Sequence, residues 1–141
     1  MKAKYFHILL VLIITLCMGC KDDKRTTTES IIVPEGLVLN KSEKWIANSE
    51  THIGMKRIDS IIKNNTTIDG KILGEALSKE TSYIIKSCNM KGEAHDQLHL
   101  VLVPISEEIT DIKDVTDSSK LEDKVSYLKS LTNTYFKYFK I

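Results

Sequence analysis

The chain has 141 residues, room for one domain, with 20 basic and 19 acidic side chains, 42% apolar residues, six glycines, two prolines and three cysteines. Lys2 and Lys4 fall in a leader that carries no acid, so the remainder stands at 18 basic against 19 acidic groups, without the basic surplus expected of a nucleic-acid binder. So few glycines and prolines exclude collagen-like or low-complexity architecture. With Cys17 and Cys20 inside or beside the leader, no disulfide framework is left.

Met1 to Lys4 form a short positive region, followed by an apolar run from Tyr5 to Leu16 that only His7 and Thr15 interrupt. A run of about a dozen residues fits a secretory signal, whereas a spanning helix needs roughly 20. It ends at Cys17-Met18-Gly19-Cys20, which resembles a bacterial lipoprotein signal with a small residue ahead of the acceptor cysteine. The resemblance implies that residues 1–19 are a signal peptide and that Cys20 carries acyl chains. Each buried methylene then adds roughly 0.8 kcal/mol of membrane affinity. Lys21-Asp22-Asp23 resembles the acidic export tag of surface lipoproteins in Bacteroidota-type bacteria. The expected address is the cell envelope, on the periplasmic face or the outer surface. Residues 20–40 read as a lipidated tether: 21–30 are charged and Thr-rich. Ile31-Ile32-Val33-Pro34 and Leu37-Val38-Leu39 are short extended pieces able to lie against a domain, because Pro34 and Gly36 prevent a helix.

From residue 41 to 141 the apolar spacing is helical. A first segment spans about 42–63, capped by Ser42 or Asn40, with Trp45, Asn48, His52, Met55, Ile58 and Ile62 on its inner line. A second runs from Asp69 to Cys88, with Ile72, Leu73, Ala76, Leu77, Tyr83, Ile84 and Cys88 on one side. A third begins after Gly92 and reaches about Ile112, carrying His95, Leu98, His99, Leu102, Ile105 and Ile109, with a kink or break expected at Pro104. A fourth opens on a Ser119-Lys-Leu-Glu122 capping box and continues through Leu121, Val125, Leu128, Tyr135 and Phe139. No strand pair with hairpin chemistry is evident. Short connections at 64–68, 89–92 and 113–118 predict an all-α, antiparallel up-down-up-down four-helix bundle.

That topology sends the start of the first and third helices and the end of the second and fourth to one pole. His52 and Met55, Cys88 and Met90, His95 and His99, and Tyr135 and Tyr138 all fall there. His95 and His99, four apart, leave one helix face and can hold one ion. Leu98 and Leu102 share that face, so the pair is expected to point inward. Cys88 and Met90 sit at a helix end, where a loop lets both sulfurs turn back. The expected metal set is Cys88, His95 and His99, with Met90, Met55 and His52 completing it. Imidazole, thiolate and thioether together form a soft set that suits copper(I), and imidazole with thiolate would also take zinc. A single inward histidine is often a hydrogen-bonded core residue, and methionine packs anywhere; the paired histidines strengthen the ligand reading. The aromatic residues Tyr135, Phe136, Tyr138 and Phe139 read as a seal over the pole.

The stretch Cys88-Asn-Met90-Lys-Gly92-Glu-Ala-His95-Asp-Gln-Leu98-His99, with Trp45 and Asn48 ahead and an aromatic helix behind, is similar to a group of small exported proteins of Bacteroidota-type bacteria. The resemblance covers about 42–140 and implies a bundle with a real site at this motif, without an established activity.

Three functions compete. The first is a lipid-anchored copper protein for carriage, buffering or sensing, with a metal-donor or acceptor protein as partner. The second is a bundle binding haem non-covalently, because no Cys-x-x-Cys-His motif exists. The third is an interaction or structural lipoprotein without metal. Catalysis is not expected: the chain has no nucleophile elbow, phosphate loop or His-Glu-x-x-His helix.

Overall fold

A computed structural model describes residues 31–141. The signal peptide, Cys20 and the tether to residue 30 lie outside the described residues. The described chain is all-α. A two-residue strand β1 (Trp45–Ile46) precedes four helices, α1 (Ser49–Lys63), α2 (Gly70–Ser87), α3 (Glu93–Lys113) and α4 (Ser118–Tyr138), and β2 (Phe139–Lys140) closes it. Each helix packs on the next, and α1 also packs on α4, which closes the ring. Gly54 early in α1 abuts Tyr83 and Ile84 late in α2, and Gly74 early in α2 abuts Lys113 late in α3. Lys124 early in α4 bridges Glu108 and Asp111 late in α3, while His52 early in α1 meets Tyr135 late in α4. Among the described residues no helix is long and apolar enough to cross a membrane.

The first helix starts seven residues later than the apolar spacing predicts. Asn40 and Glu43 exchange backbone hydrogen bonds across a tight turn in which Lys41 and Ser42 adopt positive φ. Trp45 and Ile46 then extend and pair in parallel with Phe139 and Lys140, tying the two ends of the domain together. The helix begins only after Asn48, whose side chain, rather than capping its own helix, donates to the Ser87 carbonyl at 3.1 Å and to Glu50.

Other boundaries match more closely. Asp69 caps α2 by accepting from the Ile72 amide, and α3 runs unbroken through Pro104. The cap of α4 is Asp117, which accepts from the Lys120 amide at 2.9 Å, so Ser119 lies inside the first turn instead of opening it. Asp117→Ala should therefore destabilise the domain by about 1 kcal/mol, and Ser119→Ala by much less, in chemical denaturation.

Met55, Ile58, Leu77, Ile84, Leu98, Ile105, Ile109, Ile112, Leu128, Leu131, Tyr135 and Phe139 form the fully buried core. Ile72, expected inside, is 59% exposed. The face that α2 buries follows Gly70, Leu73, Gly74, Leu77, Thr81 and Ile84, a line on which small residues allow close helix approach and from which Ile72 is turned away. The buried hydroxyls of Ser130 and Thr132 donate to carbonyls one turn back in their own helix, and the Thr134 hydroxyl lies between the Ser130 carbonyl and that of Ile32.

Residues 31–40 lie along the domain. Leu37 is buried in the core, the Gln97 side chain accepts from the Val38 amide at 2.8 Å and donates to the Gly36 carbonyl, and the Trp45 indole donates to the Val38 carbonyl at 2.7 Å.

Candidate metal centre

The histidines of α3 come together. Gly92, at φ +62°, turns the chain into the helix, and its carbonyl accepts from the His95 and Asp96 amides. His95 Nδ1 stands 2.7 Å from the Met90 carbonyl, and its Nε2 stands 2.9 Å from His99 Nε2, with the rings 4.4 Å apart. A carbonyl only accepts, so His95 Nδ1 carries the hydrogen and donates it. In the neutral form of His95, which has one such hydrogen, Nε2 presents a lone pair and His99 Nε2–H donates to it. The Met90 backbone thus holds His95 in the tautomer and orientation that a metal-bound histidine needs, as outer-shell carbonyls do at metal sites. This carbonyl is the functional group that the sequence reading missed. The signal for it was the five-residue spacing from Met90 to His95 across a glycine.

The pair does not point into the core. His95 is half-buried and His99 exposed, whereas Leu98 and Leu102 are buried. The expectation of an inward pair fails because adjacent positions on a helix are about 100° apart: Leu98 takes the core direction and His99 is carried off it. His99 instead lines a surface groove of about 540 Å³ between α2 and α3, together with Ile85, Leu102, Val103, Ser106 and Glu107.

Cys88 is a free, half-buried thiol at the end of α2, and Met90 is half-buried in the loop that follows; both pack on the rim of the core. Among the described residues no three His, Cys, Asp or Glu side chains stand together as a group able to hold a metal ion. Cys88, His95 and His99 are therefore not assembled as a three-ligand shell.

The other two candidates are turned elsewhere. Met55 is fully buried in apolar surroundings. His52 is buried, with Nδ1 3.2 Å from the Tyr135 hydroxyl and its ring edge-on to Phe136. Tyr135 stacks on Phe139 at 5.1 Å and meets Phe136 edge-on, and His52 joins these three rings. Burial, then the neighbouring Cys88, holds the Tyr135 phenol above its usual range. Burial, then Lys56 and Lys44, holds the His52 imidazole below its ordinary value of 6.5. Both groups stay neutral.

A histidine depressed in the folded state is protonated first in the unfolded chain, so the unfolded state gains protons as pH falls. Stability should hold above about pH 6.5 and decline below it, until the folded pKa is passed. His52→Gln should flatten that slope between pH 6.5 and the acid limb in denaturant titrations at stepped pH.

No protein-family model matches this chain, and comparison with curated proteins and with solved structures returns no significant match.

Proposed function

We propose that this chain is a lipid-anchored envelope protein whose helical domain binds copper through His95 and His99, for carriage, buffering or sensing. The observation that carries this reading is the His95–His99 contact, with its tautomer set by the Met90 carbonyl. Two nitrogens 2.9 Å apart, each at a metal–nitrogen bond of about 2.0–2.1 Å, subtend about 90° at a shared ion. That angle suits the tetragonal sites of cupric ions better than a tetrahedral zinc or a linear cuprous pair. Two imidazoles leave further positions open. Met90, whose carbonyl meets His95, and Cys88 two residues before it are candidates within this chain, and a donor or acceptor protein is the other source. An ion with open positions exchanges readily, which fits carriage better than permanent storage.

The anchor rests on the Cys20 signal and the metal on the histidine pair, so they stand independently. A second reading, a metal-free interaction module, draws on one observation: among the described residues every buried side-chain nitrogen and oxygen already has a partner. Haem held inside the bundle draws no such support, because the interior histidine and methionine, His52 and Met55, are engaged with Tyr135 and the core. The test is elemental analysis of protein purified from its own envelope without chelators, alongside thermal unfolding with and without a chelator. Copper near one equivalent and a chelator-sensitive melting temperature are expected. Metal-free protein whose melting neither chelator nor added copper moves would leave the interaction module instead.

A further inference from the structure

Exposed large apolar side chains are spread over the domain, with Ile53 on α1 and Ile85 and Val103 flanking the α2–α3 groove, and two groups of them lie at its ends. Ile68 and Ile72 stand beside the α1–α2 connection, and Val38, Leu39, Ile46 and Ile141 stand at the opposite end, around the β1–β2 pair. The second group is knitted by contacts: Trp45 bonds to Val38, Ile46 lies in register with Lys140, and Lys140 reaches Glu43 at 3.0 Å. Ile46 and Ile141 are 58% and 63% exposed. Single exposed apolar residues are ordinary, whereas several at one end of a small domain mark a contact surface.

The path of the chain says what covers it. The Ile32 carbonyl accepts from Thr134 Oγ1 at 2.6 Å. Thr134 lies four residues before the end of α4, about 6 Å along the axis, and sixteen residues, about 24 Å, from its start. Ten residues lie between Cys20 and Ile31, and a flexible chain of that length has a reach of roughly 16–19 Å. An acyl anchor at Cys20 therefore brings the β1–β2 end to the bilayer far more readily than the Ile68 and Ile72 end.

We propose that the β1–β2 end is a membrane-facing surface, with Val38, Leu39, Ile46 and Ile141 resting in the interfacial layer of a lipid bilayer. Lys41, Lys44 and Lys140 are exposed at this end; Lys44 donates to the Phe136 carbonyl and Lys140 to Glu43, and lysine stems lie readily on apolar surface. The first turns of α3 share this end, since Gln97 holds Gly36 and Val38, so His95 and His99 are kept close to the membrane surface. The proposal rests on the anchor at Cys20 and is independent of the metal reading.

Trp45 is the single tryptophan of the chain, one residue from Ile46, and reports on this end without a label. The full-length lipidated protein is placed on vesicles of phosphatidylethanolamine and phosphatidylglycerol containing a lipid with a nitroxide in its upper acyl chain. Strong quenching of Trp45 is expected, falling several-fold in the Ile46→Asp, Ile141→Asp double variant while that protein stays on the vesicles. Both positions are exposed, so the fold should survive, and circular dichroism checks it. Weak quenching in the wild type, or equal quenching in both, overturns the proposal. Unlipidated Cys20→Ser protein separates the anchor from the surface. If it leaves the vesicles while wild-type Trp45 stays unquenched, the anchor stands and the surface falls. If it stays bound with Trp45 quenched, the surface stands and the anchor falls.

Discussion

His99→Ala and His95→Ala should each weaken binding of cupric ion by roughly 10²–10⁴-fold, the gain that a second ligand confers when it is already held beside the first. The geometry makes this loss steep. His95 needs no reorganisation to bind, because its Nδ1 is already pinned on the Met90 carbonyl and its Nε2 already faces His99. His52→Ala should leave affinity unchanged, since His52 is committed to Tyr135. Competition titration against a chromophoric chelator measures all three. Cys88→Ser sorts the remaining positions: a loss comparable to that of His99→Ala means the thiol closes on the ion, and a small loss means the outer positions face a partner. Equal affinity in wild type, His95→Ala and His99→Ala would end the metal reading.

Gly70→Ala should produce the largest loss of stability. A Cβ at Gly70 would collide with the carbonyl oxygens of Ile112 and Val115, where α2 begins against the end of α3. Both obstacles are backbone, which cannot swing aside as a side chain does. Relief requires the two helices to move apart, and the neighbouring Leu73, Leu77, Ile109 and Ile112 would lose packing. A cost of about 3 kcal/mol, the upper part of the range for overpacked cores, is expected. It would lower the melting temperature by roughly 10–20 °C in a domain of this size. Gly74→Ala should cost less, because the nearest atom there belongs to the flexible Lys113 side chain. Thermal unfolding followed by circular dichroism compares the two. Equal melting of Gly70→Ala and wild type would mean that the approach of α2 to α3 is looser than described.

The helices were legible because the apolar period is helical and the breaks between segments carry strong punctuation: Asp69 before Gly70, Gly92 before α3, and the polar run ahead of Ser118. The histidine pair was legible for the same reason, since a spacing of four on a helix brings two side chains together whatever the surroundings. The start of the first helix was not. Trp45 and Asn48 fall three apart and mimic a helical line, yet Trp45 belongs to an extended pair with Phe139, ninety-four residues away in sequence, which no local pattern announces. Ile72 misled for a related reason. Hydropathy ranks isoleucine above glycine, but α2 buries the stripe that admits the closest helix approach, and Gly70 and Gly74 mark it.

The sequence by itself determined the helical class, the segment that bears the candidate ligands, and the pairing of His95 with His99, because all three follow from local spacing. Only the tertiary structure decided which candidates meet. It turned His52 to Tyr135 and Met55 into the core, and it set His95 on the Met90 carbonyl with His99 in the groove beside Ile85. Direction around a helix axis is settled by what the neighbouring helices need to bury, and a step of one residue moves a side chain through about 100°.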